Sequence, residues 1–509
     1  MENYKLKLSI FIILLIILLS TLYYGIFGFS VSYLSEDEIK ENRELKENLV
    51  SYFKINGIET IYDKTTDIYY YSVPLDQKDK KYTLKLELDD GYKYKIKKQT
   101  TNVITVDYEK TYNIIIYNEK NYSEIKLKLT NLPIVSILSD TDVTDNDTNS
   151  VFKYINPSNL DNTITYNSKI HIRGATSKLY DKKSYKVNIY NSDYEKEKNI
   201  NISNFYYGSS FILDALYRDG SKIRNALATQ LWNDFSSDFT NANVYTEFVE
   251  VFINNEYKGL YLFMEPVNRR NLNLNSSSLN NTSVVIKSSD YNLPKFNDYT
   301  NIIDDVYYGF ELKYPNDEDL FNTSWNSILN KLSKYYKNTI NSSYEQINDI
   351  FDITSYVDLI LFNSVTNNED NHLIKNNYFY QKELDDKIYI QPWDMEFSFG
   401  LSYSHNLKYN TEETLYDFEE IIFEIKHSSP KINKLLIKKY WNVRNNILTI
   451  EYFDNIIDKY KATLGNGAAS RDSNLYYEYN FDENIEEVRD WIHKRLEVYD
   501  EYVRGLENE

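Results

Sequence analysis

The chain has no cysteine and little histidine, glycine or proline. Among 509 residues there are no Cys, 5 His, 13 Gly and 8 Pro. Without cysteine, a disulfide scaffold, a thiolate nucleophile and a Cys-ligated zinc site are all excluded. The histidines form neither an HExxH motif nor a close pair, so a His-built metal centre is not expected. Any metal should be a hard cation, Mg²⁺ or alternatively Mn²⁺, held by carboxylate and amide oxygens.

Positive charge is also in short supply. The sequence has 57 Lys and Arg against 76 Asp and Glu, a net charge of -19. Such an acidic excess argues against nucleic acid as a partner, and it suits a basic protein better than an acidic polymer. A chain of 509 residues exceeds the size of one ordinary hydrophobic core, so we expect more than one domain.

The N-terminal segment is apolar. No charged residue occurs between Lys7 and Glu36, and residues 9–29 are long enough to cross a bilayer. Lys5 and Lys7 precede this run, so the rest of the chain is expected outside the cytoplasm. The sequence predicts that residues 1–33 are a cytoplasmic tip and transmembrane anchor, and that the protein is membrane-anchored with its catalytic part extracytoplasmic. A cleaved signal peptide followed by secretion is the alternative.

The remaining chain divides into three parts by its pattern. Residues 34–53 are charged and predict a stalk, either a short helix or a disordered linker. Residues 54–130 alternate apolar and polar side chains around an Asp90-Gly91 turn, which predicts a small antiparallel β-sandwich serving as a spacer or binding module. Residues 131–509 mix strands and helices, so the predicted fold class is α+β.

The predicted elements of this last part follow from hydrophobic periodicity. The final helix is expected to start at an Asn484 cap with Glu487 completing a capping box. The other expected elements are strands at 163–173 and 184–190, a hairpin spanning 249–264, and helices at 221–235, 320–337 and 353–367.

The most informative residues lie around two loop carboxylates. Asp370 is followed by Lys375 and Asn376, and a strand-like run then leads to Asp394 and Glu396. In phosphoryl transfer, one carboxylate accepts or orients a hydroxyl proton and another holds a metal on phosphate oxygens. The structural alternative is an Asn/Asp-rich turn followed by a helix cap or an ion-paired acid.

A second candidate segment suits phosphate binding. Arg173-Gly174 is followed by small hydroxyl residues and then by Lys183 and Lys186. A glycine lets backbone N–H groups approach phosphate, and cations nearby balance its charge. A surface hairpin with solvated lysines is the alternative.

Arg224 begins a predicted helix. Its guanidinium and the positive end of the helix dipole could both attract phosphate. Equally, Arg224 could pair with Asp219 in a capped helix with a purely structural role.

Several segments, taken in order, resemble the spore coat protein H (CotH) kinase-like family, whose members resemble highly diverged protein kinases. The resemblance covers about residues 131 to 505 and depends on the order of the pieces rather than on any single motif. The pieces are LPIV from Leu132, IRGATSKLYDKKSYKVNIY from Ile172, LDALYRDGSKIRNALATQL from Leu213, VEVFINNEYKGLYLFMEPV from Val249, and the stretch from Asn367 to Gly400. Ala175 stands where the family more often has Asn.

The resemblance implies a diverged protein-kinase-like catalytic domain over residues 131–509 that binds ATP and Mg²⁺. It implies that Arg173 and Gly174 contact the nucleotide. Lys186 would be the phosphate-binding lysine, with Lys183 as the alternative. Glu265 would lie near the base.

The same resemblance assigns roles around the loop carboxylates. Asp370 would be the catalytic carboxylate, and Lys375 would balance the charge of the transferred phosphate. Asn376 and Asp394 would bind metal. Glu396 stands where the family often has a second Asp, and it would be the third metal ligand.

The implied function is an ATP- and Mg²⁺-dependent kinase acting on Ser/Thr hydroxyls of an extracytoplasmic or coat protein. Two alternatives remain open. One is a non-catalytic surface or coat scaffold, or adhesion protein, that uses a kinase-like fold. The other is a hydrolase or nucleotidyl-transferring enzyme that uses the same carboxylates.

Overall fold

The computed structural model describes most of the chain beyond the N-terminal segment. The described residues are 34–47, 49–50, 52–158, 163–205, 207–236, 242–276, 282–289, 304–337, 343–368, 370–371, 375–402 and 429–507.

The N-terminal module begins with a short helix, α1 (Glu36–Glu41), capped by Ser35. It buries Ile39 against Ile115 and Tyr117 of the following sheet. Residues of the predicted stalk thus pack on the module. The strands of this module are β1 (Glu44–Leu45), β2 (Lys54–Ile55), β3 (Ile58–Glu59), β4 (Ile61–Asp63), β5 (Ile68–Ser72), β6 (Lys81–Thr83), β7 (Leu86–Glu87), β8 (Lys93–Ile96), β9 (Val103–Thr105), β10 (Thr111–Tyr117) and β11 (Asn121–Thr130).

The main sheet of the module has the order β4-β5-β11-β10-β8, with β1 also beside β11. Strand β11 pairs antiparallel with β10 but parallel with β5 and with β1. Two small sheets, β3-β2-β7 and β6-β9, complete the module. The predicted small antiparallel sandwich is therefore wrong in its strand directions, because alternation reveals which face is buried and not which strand is the neighbour.

A closed barrel follows, in the order β12-β13-β14-β15-β16-β18-β17. Parallel pairing of β12 with β17 closes it. Aromatic and β-branched side chains, including Phe152, Val187 and Phe263, fill its interior. The closed barrel was not predicted from the sequence. Its strands are β12 (Ile134–Ser139), β13 (Thr148–Ile155), β14 (Ile164–Arg173), β15 (Ser184–Ile189), β16 (Ser210–Asp214), β17 (Thr246–Ile253) and β18 (Glu256–Met264).

A second sheet faces the barrel, and we call it the cleft sheet. Its order is β20-β21-β19-β22-β23, and all neighbouring strands are antiparallel. Helices pack around it in the largest hydrophobic core. The strands are β19 (Val284–Ser289), β20 (Val306–Tyr307), β21 (Phe310–Tyr314), β22 (Lys375–Gln381) and β23 (Tyr389–Pro392). The helices are α2 (Arg224–Phe235), α3 (Phe321–Lys337), α4 (Tyr344–Ile350), α5 (Ile353–Thr366), α6 (Pro430–Arg444), α7 (Ile450–Leu464), α8 (Ala468–Leu475) and α9 (Phe481–Glu507).

The C-terminal helix α9 starts earlier than its sequence suggests. It begins at Phe481, so Asn484 lies inside the first turn and donates from Nδ2 to the carbonyl oxygen of Asn480 at 2.7 Å. The predicted cap at Asn484 is wrong, because an asparagine within the first turn can bond to a backbone carbonyl instead of ending the helix.

The N-terminal module packs directly on the barrel. Arg471 of α8 joins the two parts: its Nε donates to Glu250 Oε1 at 2.7 Å, and its Nη1 donates to the carbonyl oxygen of Tyr108 at 3.2 Å. Tyr257 also donates to Glu250, at 2.7 Å. A buried ion pair thus connects the module, the barrel and the C-terminal helices.

The predicted transmembrane helix requires correction. Among the helices of the described residues, none combines the length and the apolar character needed to cross a bilayer. The predicted segment, residues 1–33, lies outside the described residues. The fold is therefore a mixture of sheets and helices containing a closed barrel, and the predicted membrane-anchored, extracytoplasmic localisation is not supported.

Candidate active site

A cleft of about 890 Å³ lies between the barrel and the cleft sheet. Every site residue predicted from the sequence lines it, except Lys183 and Arg224. The predicted residues that line the cleft are Arg173, Gly174, Lys186, Glu265, Asp370, Lys375, Asn376, Asp394 and Glu396. Residues far apart in the chain are thus brought to one concave site.

The loop after β14 forms one edge of the cleft. Gly174 has a φ of 103°, and a Cβ there would lie 1.8 Å from Ser177 Oγ. Only glycine adopts this bend without strain, and it does so while the next residues wind into a short 3₁₀ helix, Thr176–Leu179. Strand β15 then returns antiparallel to β14 and places Lys186 opposite His171.

Two of the predicted phosphate-binding residues are engaged elsewhere. Lys183 Nζ donates to the carbonyl oxygen of Lys178 at 2.8 Å and to that of Tyr180, so it supports the glycine loop from within. Arg224 Nη1 pairs with Asp219 Oδ1 at 2.5 Å, and both side chains are buried. Neither residue lines the cleft. The position of Arg224 therefore supports the structural alternative, in which Arg224 pairs with Asp219 at the start of the helix.

Asp370 lies in the loop between α5 and β22 and is only 5% exposed. Lys375 Nζ lies 2.6 Å from Asp370 Oδ1, and Asn376 Nδ2 donates to Asp370 Oδ2 at 2.7 Å. Both contacts stabilise the ionised carboxylate. The three residues therefore form one compact group at the cleft wall.

The backbone around this group is held in an unusual conformation. Asn376 and Asp394 have φ values of 53° and 61°, in the left-handed region. Asn371 Nδ2 donates to the carbonyl oxygens of Asn376 and Trp393, each at 2.8 Å. Left-handed non-glycine residues persist where surrounding contacts over-determine them, and functional sites are common places for this. Asn371 was missed by sequence analysis because its role is to join the start of β22 to the residue that follows β23.

Asp394 belongs to a group of carboxylates that includes one the sequence analysis missed. Asp214, at the end of β16, accepts a hydrogen bond from Asn225 Nδ2 at 2.8 Å. Burial raises the pKa of Asp214, and the negative charge of Asp394 raises it further. Burial also raises the pKa of Glu396 well above its usual range, with Asp214 as the next contributor. The Oε1 atom of Glu396 is buried and has no hydrogen-bond partner among the described residues.

These carboxylates suit a hard cation. Within the described part of the chain, no three His, Asp or Glu side chains form a ready-made metal site. Mg²⁺, however, usually keeps several waters and binds one or two carboxylates together with substrate phosphates. A divalent cation would give the buried oxygen of Glu396 a partner to contact, and it would offset the repulsion between Asp214 and Asp394. The donors present fit Mg²⁺ or Mn²⁺.

Cations occupy the other walls of the cleft. Arg173 and Lys186 come from the barrel, and Lys287 and Lys313 come from the cleft sheet. Burial lowers the pKa of Lys186, and the charge of Lys313 lowers it further. Lys287 was also missed by sequence analysis. Its only sequence signal is a lysine that directly follows the apolar residues Val284, Val285 and Ile286 of strand β19, where alternation places it on the face opposite Ile286.

One cleft thus contains oxygen ligands that suit a metal ion and several positively charged side chains. This combination suits phosphoryl transfer. A family model described as CotH kinase protein matches residues 170–499, and the chain belongs to this family. It is accordingly a kinase-like protein. None of the curated proteins compared with the chain matches it.

The comparison with solved structures is weak. The chain is similar to one described as the crystal structure of the Golgi casein kinase, with 8% identity over 72% of this chain and 73% of that chain. The TM-score is 0.24, and this likeness carries no argument about the site.

Proposed function

We propose that the protein is an ATP- and Mg²⁺-dependent kinase that phosphorylates Ser or Thr hydroxyls of a protein substrate, with Mn²⁺ as the alternative metal. The observation that carries this proposal is the convergence on one cleft of Asp370, Asn376 and Asp394 with the glycine loop that contains Arg173 and Gly174. Membership of the CotH kinase family supports it.

The glycine loop and the barrel cations would bind the phosphates. Gly174 permits the close approach of backbone to phosphate oxygens, while Arg173 and Lys186 supply positive charge from the same wall. Glu265 follows β18 directly and lines the cleft, and we place the nucleotide base beside it.

Asp370 would orient the acceptor hydroxyl. The hydroxyl oxygen attacks the γ-phosphorus, the bond from that phosphorus to the β–γ bridging oxygen breaks, and the hydroxyl proton passes to Asp370. Lys375, ion-paired with Asp370 at 2.6 Å, is placed to balance the charge of the transferred group. A divalent cation, when bound, neutralises charge on the phosphate oxygens. Asn376, Asp394 and Glu396 would hold it.

Transfer of labelled phosphate from ATP to a generic basic protein tests the proposal. Asp370→Ala and Asp394→Ala should abolish transfer, whereas Asp349→Ala, which removes an exposed carboxylate outside the cleft, should not. Equal transfer by all four proteins, the unmodified chain included, would refute the site assignment.

The same preparation separates the alternatives. A scaffold would transfer no phosphate and would show no rise in melting temperature with millimolar ATP and Mg²⁺, because a ligand that binds the folded state must stabilise it. A hydrolase would release inorganic phosphate without labelling protein. Nucleotidyl transfer would label the acceptor from α-labelled ATP but not from γ-labelled ATP.

A further inference from the structure

Lys287 occupies the middle of the wall opposite the glycine loop. It lies on β19, the central strand of the cleft sheet, between β21 and β22. Its cross-strand partners are Glu311 and Tyr378, and all three residues line the cleft. Directly opposed residues in a sheet project from the same face, so the sheet presents a lysine flanked by an acid and a phenol.

The ammonium group of Lys287 has no hydrogen bond or ion pair within the described residues. Its cross-strand partner Glu311 is ion-paired with Lys313 instead. Burial lowers the pKa of Lys287 to about 8, and the positive charge of Arg173 also lowers it. Asp394 acts in the opposite direction.

A partly buried cation without a partner is costly to the folded protein, and an anionic ligand would offset that cost. The cations of the barrel wall, Arg173 and Lys186, face the same cleft. An anion held between the two walls would therefore be contacted from both sides. A chain of phosphates carries negative charge on each of its groups, so different phosphates can bind cations on the two walls.

We propose that Lys287 binds a phosphate group of the nucleotide from the cleft sheet, opposite the contacts made by Arg173 and Lys186. The inference rests on the proposed function, since it requires that the cleft holds a nucleoside triphosphate. It adds a binding residue from a strand that no motif marks. It also makes the nucleotide a bridge between the barrel and the cleft sheet.

The test measures the affinity of ATP, ADP and tripolyphosphate, each with Mg²⁺, by calorimetry on the full chain. Lys287→Gln should weaken ATP and tripolyphosphate binding by on the order of tenfold or more, the loss expected for one charge-assisted hydrogen bond. Lys287→Arg should keep most of the affinity because it keeps the charge. Lys382→Gln is the matched control. Lys382 directly follows β22 of the same sheet, stacks on Tyr389 at 4.3 Å and does not line the cleft.

The outcomes are distinguishable. If the unmodified chain binds no ATP, the proposed function fails and the inference fails with it. If it binds ATP and Lys287→Gln binds equally well, only the inference is overturned. A structural role would lower the melting temperature of ligand-free Lys287→Gln and Lys287→Arg alike. A phosphate contact predicts that Lys287→Gln loses ATP affinity and that Lys287→Arg retains most of it.

Discussion

Asn376 donates a hydrogen bond from Nδ2 to Asp370 Oδ2 at 2.7 Å. The amide nitrogen of a proposed metal ligand is therefore turned toward the proposed catalytic carboxylate. Because the oxygen and nitrogen of an amide point in different directions, this contact orients Oδ1 away from Asp370. That oxygen is the atom through which an asparagine binds a cation.

Asn376→Asp tests this relationship. Aspartate has nearly the same shape and tolerates the left-handed conformation that Asn376 adopts, with a φ of 53°. The substitution removes the donated hydrogen bond and places a second negative charge beside Asp370, which raises the pKa of one of the two acids. We expect kcat to fall by on the order of tenfold or more, since general-base catalysis contributes at least that much. The acidic limb of the pH–rate profile should move to higher pH.

Kinetics measured across pH would check this expectation. Asn348→Asp adds the same charge outside the cleft and serves as the control. An unchanged pH–rate profile in Asn376→Asp would show that the hydrogen bond from Asn376 does not control the protonation state of Asp370.

Gly174→Ala should weaken nucleotide binding. The added Cβ would lie 1.8 Å from Ser177 Oγ, and the φ of 103° is unfavourable for alanine, so the loop must move. Gly91→Ala is a matched control, because Gly91 also has a positive φ of 87° but nothing lies within 4 Å of its Cβ position. Both substitutions should destabilise the protein by about 1 kcal/mol or more through backbone strain.

Only Gly174→Ala should raise the Kd for ATP, which calorimetry would measure. Equal ATP affinity in the two alanine variants would count against a phosphate-binding role for the glycine loop.

Much of the local structure near the cleft was predictable, because it depends on local pattern. Strand β14 was expected at 163–173 and runs from Ile164 to Arg173. The hairpin of β17 and β18 was also expected, and its turn lies at Asn254 and Asn255, which both have a positive φ. Asparagine tolerates this conformation, so the signal for the turn lies in the sequence itself.

Other features depend on residues that are distant in sequence. Pairing of β12 with β17 joins segments more than a hundred residues apart, and neither strand records its partner. Asp214 belongs to the site only because Asp394 is folded against it.

The choice between two lysines shows the same limit. Lys183 and Lys186 are three residues apart, so in a strand they point to opposite faces. The sequence thus indicated that the two side chains lie on different faces, but it did not indicate which of them lines the cleft. The roles proposed for the cleft residues stay predictions until activity is measured.

ATP affinity should fall as pH rises above about 8, which is the pKa of Lys287 in the free protein. Bound phosphate favours the charged amine and therefore raises this pKa above its value in the free protein. The contribution of Lys287 to binding is therefore complete below the free-protein pKa and is lost as pH rises through the bound-state pKa. The charged and titratable groups around Lys287 are Arg173, Glu311, Lys313, Tyr378 and Asp394.

Calorimetric titrations with ATP and Mg²⁺ between pH 7 and 10 would check the effect. In Lys287→Arg the guanidinium stays charged over this range, so the decline should be reduced. An identical decline in both proteins would assign the pH dependence to another group.

Arg471→Met should be strongly destabilising. The substitution leaves Glu250 buried without its cation, and it removes the hydrogen bond to the backbone of Tyr108 in the N-terminal module. Breaking a buried pair on one side costs about 3–5 kcal/mol, whereas removing both charges costs much less. Urea unfolding should therefore show a large loss for Arg471→Met and a smaller one for Glu250→Gln/Arg471→Met. Arg489→Met, which breaks a partly exposed ion-pair network, should cost less than Arg471→Met. The prediction is wrong if Glu250→Gln/Arg471→Met is the least stable of these three variants. In that case the Arg471–Glu250 ion pair contributes net stability as well as joining the module to the barrel.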